Sequence, residues 1–497
     1  MEILEKAPAS KGVTADTQSI AKHWIGGEWI DSQKHGISLN PATGGSLGTY
    51  ADGGDAEAGR AVDAALTAFR QTGWKSDHAL RSKVLLAMAD RIETRANDLI
   101  QILCAENGKI ASEAAMEVDA APMLLRYWAA KTFTAGRSGE VRPGSFSFTI
   151  REAVGVAGII APFNAPVALT IRALAPALAA GATTVVKLPG LTAQTNHLIC
   201  EILSGTPDLP IGVINILTES GSEAAQFLVN SPDVPVISFT GSSKTGRAIM
   251  AAGASRLKRL SLELGGKTPM LVFNDADIEA AIFAIGKAVT IFSGQFCMTG
   301  SRILVQRAVA ERVKQLLAER LEKVRVGPAS DPSSELGPMI DKANVLRVNG
   351  VVEEAIASGA KVIVRGGPAT EGILGKGAFY RPTLLEVTNP DLPVVQQEVF
   401  GPVATLQVFD TEAEAIALAN YSDYGLAAGI WTRDVDRPWR VAKALQAGTI
   451  WINTYAQVFP EFEEGGYKQS GIGRLNGEAA MEAFLEYKHI TFNPGIK

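Results

Sequence analysis

From residue 154 onward the chain alternates short apolar runs with helix-periodic stretches, and this rhythm restricts the fold more than any other feature. VGVAGIIA (154–161), TTVVKLP (183–189), GVINILT (212–218), VPVISFT (234–240) and KRLSLELGG (258–266) read as buried strands. The segments between them, 167–180, 193–204, 222–230 and 243–254, carry helical apolar spacing. Strand and helix at such short intervals require parallel strands joined by helical crossovers. The predicted class is α/β, with a doubly wound sheet whose ligands sit at the carboxyl ends of the strands.

A second series repeats the pattern. TPMLVFN (268–274), SRILVQR (301–307), KVIVRGG (361–367), PVATLQVF (402–409) and AAGIWT (427–432) read as strands. Helices are expected up to 291, over 308–325 and 341–358, and from Thr411, with the turn-rich VGPASDPSSELGP (326–338) as a connector. Two α/β domains therefore follow, joined near residues 260–268. Upstream, residues 1–18 read as a flexible arm, IGGEWIDS (25–32) as a hairpin turning at Gly26 and Gly27, and 56–70, 80–104 and 112–135 as helices. GEVRPGSFSFTIREA (139–153) and EYKHITFN (486–493) alternate like strands and can pair into an arm outside both cores. Exposed edges of that kind invite a second subunit.

Composition excludes several classes. A net charge of −5 gives no reason to expect a nucleic-acid or anionic-membrane partner. The most apolar window, 165–186, is interrupted by Arg172 and Pro176 and reads as a buried helix and a strand, not a membrane span. Cys104, Cys200 and Cys297 are odd in number and far apart, which argues against a disulfide framework. With no signal-peptide pattern at the N-terminus, a reducing, cytoplasmic setting is expected. No CxxC or HExxH occurs and there are only five histidines, so no metal site is expected.

Five stretches could carry chemistry. FTGSSKTG (239–246) follows a strand and opens a helix, so Gly241 and Gly246 either let a backbone approach an anion or merely turn the corner. In VVKLPG (185–190), Lys187 stands at a strand end, as a nucleotide ligand or a solvated lysine. In LELGGK (262–267), Glu263 lies inside an apolar run; burial would raise its pKa towards that of a general base, unless a nearby lysine pairs with it. In APFNAP (161–166), Asn164 is flanked by Pro162 and Pro166, and its amide can serve an oxyanion or cap the next helix. Finally, FSGQFCMTGSR (292–302) places Cys297 between glycines in a turn after a helix. Free cysteine is usually an inert buried residue, but a helix end or a cation would lower the pKa of a turn thiol and make it reactive.

Taken in order, PFNAP, FTGSSKTG, ELGGK, GQFCMTGSR, EVFGP (398–402), AGTIWIN (447–453) and GGYKQSGIGR (465–474) resemble the NAD(P)-dependent aldehyde dehydrogenase superfamily, and the resemblance runs from IGGEW to EYKHI. It implies a Rossmann-like cofactor domain (1–138 and 154–263), a catalytic domain (264–475) and a β oligomerisation arm (139–153 and 480–497) of a homodimer or homotetramer. It also implies that Cys297 attacks the aldehyde, that Asn164 and the Cys297 backbone N–H hold the oxyanion, and that Glu263 activates water to hydrolyse the thioester. Presence of Glu263 favours hydrolysis over transfer to coenzyme A. Pro162, Phe163, Lys187, Gly241, Ser242, Gly246, Glu398 and Phe400 would then contact NAD or NADP, and Ala165, Leu169, Arg172, Phe296 and Met298 the substrate.

The departures bear on specificity. Gly190 stands where many NAD-preferring relatives have a glutamate, so NADP is admissible. PFNAP replaces PWNFP and widens the substrate channel. Arg172 replaces an aromatic residue, and EEGG replaces PFGG, bringing Glu463 and Glu464 near the mouth. PFNAP followed by IRALAPALAAG is similar to the benzaldehyde and vanillin dehydrogenase branch, which implies an aromatic aldehyde. A medium-chain aliphatic aldehyde is the alternative, and a cofactor-independent cysteine esterase or acyl-transfer enzyme is the alternative of a different class.

Overall fold

The computed structural model describes residues 20–133 and 136–493, so the arm expected over residues 1–18 lies outside the described residues. Five parallel strands build the first sheet: β1 (Val156–Ile160), β2 (Thr183–Pro189), β3 (Ile214–Glu219), β4 (Val236–Thr240) and β5 (Arg259–Glu263). Their order is β5-β4-β1-β2-β3. The chain starts in the middle, winds out to β3, then returns to lay β4 on the other flank of β1. That reversal opens a crevice beyond the carboxyl ends of β1 and β4. The strands are largely buried and rich in Val, Ile and Leu because helices cover both faces. Val186 packs into one core with Trp74 and Trp128, whereas Val185 packs into the opposite one with Val156 and Leu228.

The crossover helices are Pro166–Ala180, Ala193–Ser204, Glu223–Asn230 and Ser243–Gly253. Pro166 opens the first of them where no N–H is needed, and Gly181 closes it in the left-handed region at φ 93°. The hairpin His23–Ile25 and Glu28–Ile30, turning at Gly26 and Gly27, extends the sheet beyond β3. At the far edge Gly471–Ile472 pairs antiparallel with β5. The stretch expected to close the second domain thus returns to the first.

The second sheet has seven strands in the order Lys361–Val364, Thr383–Glu386, Val403–Phe409, Arg302–Gln306, Pro269–Val272, Ala427–Trp431, Thr449–Ile452. Only the first pairing is antiparallel. The helix expected over 80–104 is broken into His78–Thr94, Ala96–Ile102 and a π-helical turn, Leu103–Asn107. The wider turn brings Glu106 and Asn107 inward, where both are buried.

Ser138–Arg142, Ser145–Ala153 and Leu485–Phe492 form a separate antiparallel sheet. Residues 480–484, expected in this arm, are instead part of the short helix Glu478–Phe484, whose Ala480, Met481 and Phe484 sit in the first domain's core. Along the arm Phe146 faces Phe492 and Phe148 faces Ile490, and all four are exposed. No helix among the described residues is long and apolar enough to cross a membrane.

Candidate active site

Strand β1 runs directly into PFNAP at the crevice. Asn164 is buried, and its amide donates across to the Gln295 carbonyl at 2.9 Å. The helix that follows is capped by Ala165 without a side-chain bond. Asn164 therefore reaches towards the cysteine loop and does not cap its own helix.

Cys297 is approached from the other domain. After helix Ile278–Thr290 the chain passes through Phe292, Ser293 and Gly294 with φ of 50°, 57° and 70°. Two successive non-glycine residues in this region cost about 1–3 kcal/mol each, so the surroundings must hold them there. Ser293 Oγ binds the Gly337 and Pro338 carbonyls at 2.9 and 3.0 Å, and Gln295 Oε1 accepts from Ile340 N at 3.1 Å. A Cβ on Gly294 would lie 2.1 Å from the Gly401 carbonyl carbon, which excludes any larger residue. This braced turn delivers Phe296 and Cys297 partly exposed.

The electrostatics depart from expectation at the thiol. Burial pushes Cys297 up to about 12; the Arg172 guanidinium pulls it down, while Glu464, Glu398 and Glu263 push it further up. The anticipated cation is present, but desolvation outweighs it. Glu263, at the carboxyl end of β5, is also held well above the ordinary range by burial, against the pull of Arg172 and Arg474 and with the push of Glu464. Its Oε1 is buried without a partner, so no lysine engages it. A Cβ at Gly465 would stand 2.8 Å from that oxygen, so this glycine makes room for the carboxyl.

Arg172 and Glu464 are neither solvated nor at the surface. Arg172 Nη1 lies 2.8 Å from both Glu464 oxygens, and Asn476 Nδ2 donates to Oε2 at 3.1 Å. Glu463 is exposed. Ala165, Leu169, Phe292, Phe296 and Tyr455 form an apolar group, with the Phe292 and Phe296 rings edge to face at 5.6 Å. Met298 differs: its side chain is packed with Leu426, Ala427 and Trp451, and its carbonyl accepts from Tyr455 Oη at 3.0 Å.

On the cofactor side, Ser242 is exposed and caps helix Ser243–Gly253 by accepting from Thr245 N at 3.2 Å. Gly241 ends β4 against the Phe239 ring, whereas Gly246 is buried because a Cβ there would meet Leu264 at 2.6 Å. Lys187 is buried at the end of β2, with Nζ 3.7 Å from Glu219 Oε2; burial lowers its pKa and Glu219 opposes that shift. A Cβ at Gly190 would come within 2.4 Å of Tyr50 Oη, so no side chain fits there unless Tyr50 moves. Pro162 and Phe163 are partly exposed at the end of β1, and the Phe163 ring meets Phe400 of the second domain edge to face at 6.0 Å. Glu398 accepts from Gly266 N at 3.3 Å, and burial raises its pKa to about 7. An exposed helix start after β4 and a buried lysine on β2 both lie towards the carboxyl ends of the sheet, where a dinucleotide binds in folds of this kind. Among the described residues no group of three or more His, Cys, Asp or Glu could hold a metal ion.

Sequence reasoning missed Lys109, Glu113, Glu117 and Tyr455 at this site. Glu113 and Glu117 stand four apart on helix Ala111–Ala129, beside the buried Ala114, Val118 and Ala121. Two carboxylates on an otherwise apolar stripe were the signal available.

The chain was compared with known proteins. A betaine aldehyde dehydrogenase of Bacillus subtilis (strain 168) is 37% identical over 477 residues, covering 95% of this chain and 97% of that protein. A crystal structure of the Staphylococcus aureus betaine aldehyde dehydrogenase in complex with NAD+ superposes with a TM-score of 0.93 at 34% identity, covering 96% of each chain. An apo point mutant of the same enzyme gives the same TM-score, identity and coverage. The aldehyde dehydrogenase family profile matches residues 29–490, a span that takes in the five parallel strands of the first sheet, the whole of the second and every group at the crevice, and the chain belongs to that family.

Proposed function

We propose that this aldehyde dehydrogenase oxidises an aromatic aldehyde to its acid, with Cys297 as nucleophile, Asn164 as oxyanion donor and Glu263 as the base that releases the product. The observation that carries this reading is the convergence of three groups from separate elements: a thiol on a braced turn, an amide reaching to that turn, and a buried carboxyl with an unpartnered oxygen. Bound NAD(P)+ supplies the hydride acceptor. Pro162, Phe163, Lys187, Gly241, Ser242, Glu398 and Phe400 would hold it. The Cys297 thiol gives its proton to solvent as Sγ bonds to the aldehyde carbon and the C=O π pair moves onto oxygen, where the Asn164 amide and the Cys297 N–H hold it; the carbon is left as a thioester once hydride departs. Glu263 then takes a proton from water, whose oxygen bonds to the thioester carbon and displaces Cys297 as thiolate. Gly246 is better explained by packing against Leu264 than by cofactor contact.

The aromatic substrate reading rests on Phe292, Phe296 and Tyr455, which pack in one apolar group with Ala165 and Leu169. A second reading, oxidation of betaine aldehyde, is favoured by the names of the relatives, and aromatic rings also suit a quaternary ammonium group. Following nicotinamide absorbance with benzaldehyde, hexanal and betaine aldehyde separates them. Benzaldehyde is expected to exceed the others in kcat/KM by about tenfold or more, the scale on which pocket shape discriminates. A larger kcat/KM for betaine aldehyde overturns the aromatic reading; no cofactor reduction with any aldehyde, together with cofactor-free hydrolysis of p-nitrophenyl acetate, favours the esterase alternative. Because Gly190 presents no carboxylate, the same panel is expected to run with both NAD+ and NADP+.

The exposed face of the arm, with Phe146, Phe148, Ile150, Ile490 and Phe492, suits burial against a second copy. Light scattering is expected to return a dimer or tetramer; a monomeric mass at micromolar concentration would remove this assignment.

A further inference from the structure

One buried polar cluster outside the three proposed catalytic groups grips both halves of the site. Lys109 follows the π-helical turn, and its side chain is 1% exposed. Its ammonium donates to Asn107 Oδ1 at 2.7 Å and to the backbone carbonyl of Asn164, and lies 3.0 Å from Glu117 Oε2. The same nitrogen sits 4.4 Å above the centre of the Phe292 ring. Its partners hold the same loop from other sides. Asn107 Nδ2 donates to the Phe163 carbonyl at 2.7 Å, and Glu117 Oε1 accepts from Val167 N at 2.8 Å. On the nucleophile side, Glu113 Oε1 accepts from Phe292 N at 3.0 Å.

The loop bearing Asn164 is thereby pinned at Phe163, Asn164 and Val167, and the left-handed turn leading to Cys297 is pinned at Phe292. Buried ion pairs contribute little net stability compared with apolar packing of the same shape, so stability alone gives no reason for this arrangement. What the cluster does supply is fixed geometry, and an error of about 1 Å in a reacting group can cost a factor of about 10² in rate. We propose that Lys109 is a positioning residue for acylation, holding the Asn164 amide and the Cys297 turn in register through Asn107, Glu113 and Glu117. This rests on Asn164 being the oxyanion donor.

The test uses single-turnover formation of reduced cofactor in the full-length enzyme, alongside thermal stability and cofactor affinity. Lys109→Met is expected to slow the single turnover by about 10- to 100-fold while cofactor affinity holds. Glu117→Gln keeps the acceptor for Val167 N and removes the charge that Lys109→Met would strand. The double variant Lys109→Met/Glu117→Gln is therefore expected to regain thermal stability without regaining rate, and it serves as the test if the single variant fails to fold. A double variant that recovers native rate together with stability overturns the proposal. In an Asn164→Ala background, Lys109→Met is expected to slow the rate by a smaller factor than in the native enzyme, because the part of its effect that runs through the Asn164 amide is already lost. An undiminished Lys109 effect there sinks the positioning role alone. A native rate in Asn164→Ala by itself sinks the oxyanion reading, and the proposal with it.

Discussion

Cys297→Ala is expected to lower aldehyde oxidation by about 10⁴-fold or more, the scale seen when a nucleophile is removed from a site whose groups act as a unit. Cofactor affinity should persist, since the residues proposed to hold the cofactor lie elsewhere: just beyond β1 and β4, on β2, and on the segment carrying Glu398 and Phe400. Nicotinamide absorbance and a cofactor titration on the same sample check both halves. Turnover that survives the substitution would remove Cys297 from the mechanism. The native enzyme's pH profile has a definite sign. Burial pushes the thiol up to about 12 and Glu263 well above its usual range, and both react as the deprotonated form. Turnover is therefore expected to climb from neutral towards alkaline pH, with no optimum on the acid side.

Glu263→Gln separates the two halves of the reaction. The amide matches the carboxyl in shape but cannot accept a proton from water, so acylation should proceed and release should stall. The expected result is a burst of one equivalent of reduced cofactor per active site, followed by a steady state slower by about 10²–10⁴-fold. Mass spectrometry should find the acyl group on Cys297. An unaltered steady state would show that another group takes the proton. Stability gives an independent check. The folded pKa of Glu263 is raised, so its contribution is fully present below the unfolded value of 4.5 and is lost as pH rises through the folded one. Relative to the native protein, the glutamine variant should therefore gain stability on the alkaline side.

The strands of the first sheet were legible because they are mostly buried and rich in Val, Ile and Leu between turn residues; TTVVKLP coincides with β2 residue for residue. Thr383–Glu386 and Thr449–Ile452 went unread, although Pro269–Val272 and Lys361–Val364 are equally short; four residues are too few to fix a period, so strands of this length are read unevenly. The groups at the crevice were legible through their motifs, since glycine and proline punctuate the turns that present them. Their electrostatics were not. The shift of the Cys297 thiol runs opposite to expectation because desolvation depends on what folds over a residue, and that is absent from its neighbours in sequence. Lys109 escaped notice for a related reason: its partners, Asn164 and Phe292, come from distant parts of the chain, and a lone lysine after a glycine reads as surface.

Arg172 and Glu464 are separated by 292 positions, yet each is the other's counter-charge in a buried place. Removing either alone strands the remaining charge, at a cost of about 3–5 kcal/mol for a pair of this kind. Replacing both with apolar residues of similar volume carries no such penalty. The two positions are thus one heritable unit: a library that varies one of them at a time selects for the parent residue, whereas one that varies them jointly can replace the pair with apolar packing.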